Sequence, residues 1–130
     1  MRARCSYDYA VIRFVPRVER GEFVNVGVIV RCGERDLLEA RIELDERRLA
    51  ALAPAPMVTL VRRHLESIAA VCRGGEAAGP IGRLTPRERF DWLVAPRSTI
   101  IQTSAVHSGH CDDPAQVADR LLAAMVRSGP

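Results

Sequence analysis

Residues 7–44 hold three strand-type runs in succession, and this crowding decides what class of fold the chain can adopt. "YDYAVIRFV" (7–15) is aromatic and β-branched and stops at Pro16. "PRVERG" is its connection, punctuated by Pro16 and Gly21. In the next run Val24, Val26, Val28 and Val30 share one face by the period of two, which predicts a core-facing row. The opposite face then carries Phe23, Asn25, Gly27 and Ile29, so two residues foreign to a strand project the same way. After the turn "CGERD" (32–36), "LLEARIEL" (37–44) alternates Leu38, Ala40, Ile42 and Leu44 with Glu39, Arg41 and Glu43. A strand with one wet face suits an antiparallel meander.

The chain then changes period. Asp45 is placed to cap a short helix through Leu52, which Pro54 stops. From Met57 to Arg73, a spacing of about 100° per residue puts Met57, Leu60, Val61, His64, Leu65, Ile68, Val71 and Cys72 on one side. Within that stripe His64 reads as a hydrogen-bonded core histidine, and Gly74-Gly75 ends the helix. "GGEAAGPIG" (74–82) predicts a flexible loop. "TPRE" (85–88) combines a Thr cap, a Pro at the first helical position and a Glu able to close a capping box, opening a helix through Val94. "RSTIIQTSAV" (97–106) resembles a polar strand. Asp113 and Pro114 then start a helix with Val117, Leu121, Leu122 and Met125 on one face. The expected order is β-β-β-α-α-α-β-α, an α+β fold with a mainly antiparallel sheet covered by helices, in a single domain spanning 1–130.

Composition removes several function classes. At 48% apolar and 27% charged residues the chain matches a soluble globular protein. A chain of this length buries about two-thirds of its unfolded surface, enough for a core without disulfides or metal. Arg13 breaks the N-terminal apolar run, no A-x-A-like cleavage site follows, and no stretch approaches the roughly 18 apolar residues of a membrane span. These features predict a cytoplasmic protein without membrane attachment. Cys5, Cys32, Cys72 and Cys111 lie far apart with no C-x-x-C pair, which in that compartment predicts reduced thiols. The net charge is +3 and every basic residue is Arg, but the 19 arginines are scattered among 16 acids. Short pairs such as Arg47-Arg48 and Arg62-Arg63 predict a solvated face rather than a nucleic-acid surface.

Signals for familiar chemistry are sparse. His107, His110, Cys111 and Asp112 in "HSGHCDD" are competent metal ligands, yet zinc sites draw ligands from two separated segments and no second cluster exists. The expectation is no metal and no cofactor. No nucleophile elbow, Walker loop, dinucleotide fingerprint or H-E-x-x-H occurs. What remains is a polar set: Arg13, Glu22 and Asn25 in the first two strands, with Arg97, Ser98, Thr99, Gln102, Thr103 and Ser104 in the polar strand. If that strand joins the meander, Arg13, Glu22, Asn25, Arg97 and Gln102 form a candidate site, whose two arginines and amides suit a phosphate or carboxylate. The competing reading is structural: an Arg13–Glu22 ion pair, with Asn25 and Gly27 shaping a bulge. It is preferred, because an isolated strand glycine commonly marks a bulge or a close backbone approach.

The motif "YDYAVIRFVPRVERGEFVNVGVIV" resembles the opening signature of bacterial domain-of-unknown-function family 3037, a tyrosine-led strand, R-[FY]-x-P, then G-E-F-x-N-x-G-V. The matching positions are Tyr9, Arg13, Pro16, Gly21, Glu22, Phe23, Asn25, Gly27 and Val28. "FDWLVAPRSTIIQTSAVHSGHCDDP" is similar to the family's R-S-T-x-x-Q-x-S segment and its aspartate-proline helix start. The resemblance implies no catalytic mechanism. It implies a stand-alone bacterial protein with a protein partner, kinases of the HipA type being the associated class. Three functions follow in order: a non-enzymatic accessory or partner-binding module, a small enzyme or ligand-binding protein acting on a phosphorylated or acidic small molecule, and a nucleic-acid binder.

Overall fold

The computed structural model describes residues 4–97 and 99–127. Three long strands, β1 (Cys5–Phe14), β2 (Val24–Cys32) and β3 (Leu37–Ile42), form the meander that the alternation predicts. Helices α1 (Glu46–Leu52), α2 (Ala55–Arg73) and α3 (Pro86–Leu93) follow, and two short strands, β4 (Ile101–Thr103) and β5 (His107–Cys111), precede α4 (Val117–Met125). The sheet is antiparallel in the order β3-β2-β1-β4, with β5 also paired to β1. The fold is therefore α+β, as its sequence predicts.

The helix boundaries follow local chemistry. Asp45 accepts bonds from the Arg47 and Arg48 amides and starts α1. The complete Thr85–Glu88 capping box starts α3, and its backbone bonds hold the Glu88 carboxyl below its usual range. Pro54 caps α2 two residues ahead of the expected start. Residues 76–83, expected as a loop, form 3-10 turns broken at Gly79. Among the described residues no helix is long and apolar enough to cross a membrane.

Two predictions about faces need correcting. The four valines of β2 do not share one face. Ile12 stands opposite Gly27 but Arg13 stands opposite Asn25, so Val26 is an extra residue and the strand carries a bulge. Val24, Val26 and Ile29 accordingly join Ile12 and Phe14 under α1, α2 and α3, whereas Val28, Val30 and Cys32 join Val11 under α4. The sheet is thus buried on both sides. The second correction concerns α2, whose buried stripe is narrower than the pattern suggests: Val61, Leu65, Val71 and Cys72 are buried, while Leu60 and His64 at its margin are exposed.

The polar strand also differs from expectation. Only Ile101–Thr103 and an unexpected His107–Cys111 pair with β1. Between the pairs Ile12–Thr103 and Tyr9–His107, three steps along β1 are matched by four along the edge, which places a second bulge there. Ser104 bridges the interruption. Its amide donates to the Val11 carbonyl and its buried hydroxyl accepts from the Val11 amide, replacing a ladder carbonyl.

Candidate functional site

The five expected site residues do not form one site. Arg13, Asn25 and Gln102 stand in a row across β2, β1 and β4. The Arg13 guanidinium lies 4.2 Å over the exposed Phe23 ring, and Arg13 Nε and Asn25 Oδ1 are buried without a hydrogen-bond partner among the described residues. Asn25 Nδ2 donates to the Met125 carbonyl at 2.8 Å, so this strand residue fastens the last turn of α4. Glu22 pairs with Arg20 at 2.6 Å and not with Arg13, which corrects the expected ion pair. Arg97 lies apart from the row. Its guanidinium donates to the carbonyls of Trp92, Leu93 and Ala95 at the end of α3 and sits 4.7 Å over the Trp92 ring. Ser98 lies outside the described residues.

A cavity of about 360 Å³ opens beside Asn25, between the β2–β3 end and α4. Its charges already have structural duties. Arg127 Nε donates to both Glu43 carboxylate oxygens at 3.0 Å, Asp45 caps α1, and Arg48 reaches the Val126 carbonyl at 3.4 Å. Two carboxylates in the lining oppose an anionic ligand there.

A second concavity has the opposite character. Between α2, α3 and β4 lies a cleft of about 280 Å³, floored by Ile68, Val71, Leu93 and Ile101. Its rim carries His64, Ser67, Trp92, Arg97, Thr99, Gln102 and Thr103, and no carboxylate lines it among the described residues. Trp92 is 43% exposed, a large apolar side chain in water. Thus Arg97 and Gln102 line one mostly apolar cleft, without Arg13, Glu22 or Asn25.

One residue that builds this cleft escaped the sequence analysis. Arg89 is buried in α3 and donates from Nη1 to the Val71 and Cys72 carbonyls at 2.6 and 2.8 Å, and from Nε to Leu84 at 3.1 Å. The partial negative charge at the C-terminus of α2 receives the guanidinium, and α3 is thereby clamped to α2. The only local sign is the glycine pair beside it: Gly74 has φ +75°, and a Cβ there would stand 2.9 Å from Arg89 Nη1.

The histidine-rich segment is a strand, so alternation separates its side chains. His107 stacks near Tyr9 with ring centroids 5.5 Å apart, whereas His110 faces the other way, with Nδ1 3.4 Å from Ser6 Oγ. Among the described residues no group of three His, Cys, Asp or Glu is arranged to hold a metal ion. All four cysteines are buried, and among the described residues none forms a disulfide. Burial pushes the Cys72 thiol up to about 12 and raises Cys111 as well. Native protein should therefore react slowly with a thiol reagent, and all four thiols should titrate once it is unfolded without reductant. Fewer than four would reveal a disulfide or a bound metal.

No curated protein and no solved structure matches the chain. A family model does, over residues 9–126, and its description is "Protein of unknown function (DUF3037)". The match covers most of β1, all of β2 to α4, the bulge, the cleft and the clamp at Arg89, and on that extent the chain belongs to the DUF3037 family.

Proposed function

We propose that this chain is a non-enzymatic accessory protein of the bacterial cytoplasm that binds a protein partner in the cleft between α2, α3 and β4. The cleft itself carries the proposal: an apolar floor, an exposed Trp92 and an arginine stacked on it. Tryptophan and arginine are the residues most often found at the energetic centres of protein interfaces. The cleft also falls just below the roughly 300–1,000 Å³ usual for small-molecule pockets, which favours one or two inserted side chains. The other polar candidates favour a structural duty, since Asn25, Glu22 and Gln102 are bonded to Met125, Arg20 and Thr99. The four buried thiols, with no disulfide among the described residues, suit a reducing compartment.

A second reading, a small acidic or phosphorylated ligand, is favoured by one observation: the buried Arg13 Nε, in the row with Asn25 and Gln102, has no hydrogen-bond partner among the described residues. Purification of the wild type, Trp92→Ala and Phe23→Ala from the native host, with mass spectrometry of proteins and small molecules, separates the readings. A HipA-type kinase, the class implied by the family resemblance, is the first partner to look for. The expected result is a protein retained by wild type and Phe23→Ala and lost with Trp92→Ala. Removing such an anchor costs about 2 kcal/mol or more, roughly thirtyfold in affinity. Retention by Trp92→Ala, or recovery of only a small molecule that Arg13→Gln releases, would overturn the cleft proposal.

A further inference from the structure

The cleft is bounded on one side by the sheet edge, and that edge is open. Val15 donates to the Ile100 carbonyl and Ser104 to the Val11 carbonyl, which fixes the antiparallel alternation along β4. The backbone of Gln102 then faces β1, and the backbone groups of Ile101 and Thr103 face away from it. The Thr99 hydroxyl satisfies the Ile101 carbonyl at 2.7 Å. This leaves the Ile101 amide and both backbone groups of Thr103 without a backbone partner among the described residues. Such an array is a template for an added strand, with main-chain bonds giving affinity and an adjacent pocket giving specificity.

We infer that the partner segment binds as a short extended strand added to the outer edge of β4, placing an apolar side chain in the cleft and a carboxylate against Arg97. This inference rests on the cleft being the partner site. The bulge after Thr103 limits pairing to the three residues of β4, so a short segment suffices. Charge selects its chemistry. Among the described residues Arg97 is hydrogen-bonded only to carbonyls and no carboxylate lines the cleft, and His64 stands on the same rim. A second copy of this chain is disfavoured, because its β4, Ile101–Thr103, brings no carboxylate to meet Arg97.

Selection from a phage library of random peptides on the immobilised full chain supplies the probe, and the enriched peptides are then synthesised. The expected result is alternating apolar residues with an Asp or Glu, lost affinity with Trp92→Ala, and roughly tenfold weaker binding to Arg97→Gln. Thr103→Pro should weaken binding at least about tenfold, since it deletes an outward amide that β1 does not use, as edge strands tolerate. Amide exchange on wild type should show Ile101 and Thr103 protected when peptide binds, and this decides the matter if Thr103→Pro fails to fold. Peptides released by Trp92→Ala but indifferent to Thr103→Pro, with both amides unprotected, would overturn strand addition and leave the cleft standing. No enrichment, or enrichment independent of Trp92, would overturn both.

Discussion

Gly27→Ala should destabilise the protein almost as much as Gly27→Val, by about 3 kcal/mol, the upper range of overpacking costs. The obstacle is met at the first side-chain carbon. A Cβ at Gly27 would stand 2.6 Å from the Arg41 carbonyl oxygen, 3.2 Å from Ile12 Cδ1 and 3.3 Å from Ile42 Cα. Two of those three atoms are main chain of the neighbouring strand and can yield only if β3 moves. Strand β3 carries Leu38, Ala40 and Ile42 under α2, so the displacement reaches the core. Thermal and urea unfolding of both variants give the comparison. Asn25→Ala is the reference: it removes one bond to Met125, about 0.5–1.5 kcal/mol, and should leave cleft binding unchanged because that bond lies on the opposite side of the sheet. An alanine variant as stable as wild type would show that the bulge is soft and that Gly27 is not held by β3.

The same residues show where sequence reasoning reaches and where it stops. Glycine in a valine run pointed to a bulge, and a bulge is there, because the signal is local: one residue lacks a side chain where its neighbours have large ones. Which face each valine takes was not legible. Face assignment depends on register with β1, and one extra residue at Val26 sends Val28 and Val30 to the α4 side. Helix caps at Asp45 and Thr85 were legible for the same local reason, since cap and amide lie within three residues. Strand β5 was not. "HSGHC" has poor strand propensity and is held by pairing with β1, including the Tyr7 ring laid over Gly109. The candidate site failed partly by distance. Asn25 meets Met125 across 100 positions, which leaves no mark in sequence spacing, whereas Arg97 turns back onto carbonyls two to five residues before it, a local contact that reading it as an anion donor passed over.

Arg89→Met should cost about 2–5 kcal/mol, since a carbonyl left buried and unpaired costs about 1–3 kcal/mol and those of Cys72 and Leu84 lose their donor, while that of Val71 keeps the Gly74 amide. Methionine keeps an unbranched apolar stem of similar length, so the loss reports the hydrogen bonds rather than a cavity. Arg89→Ala adds the missing stem and should be worse. Arg89→Lys keeps the charge for the end of α2 but cannot span Leu84 and the α2 carbonyls with a planar fork, so it should fall between methionine and wild type. For a chain of this size the methionine variant should melt about 10 °C or more below wild type. The consequence extends to binding, because α3 carries Trp92 and Leu93 and α2 carries Ile68 and Val71. With the clamp released, the two walls of the cleft lose their fixed separation, and partner affinity should fall even at temperatures where Arg89→Lys or Arg89→Met remains folded. Wild-type stability in Arg89→Met would mean that water replaces the guanidinium at those carbonyls and that the packing of Phe90 and Leu93 alone holds α3 in place.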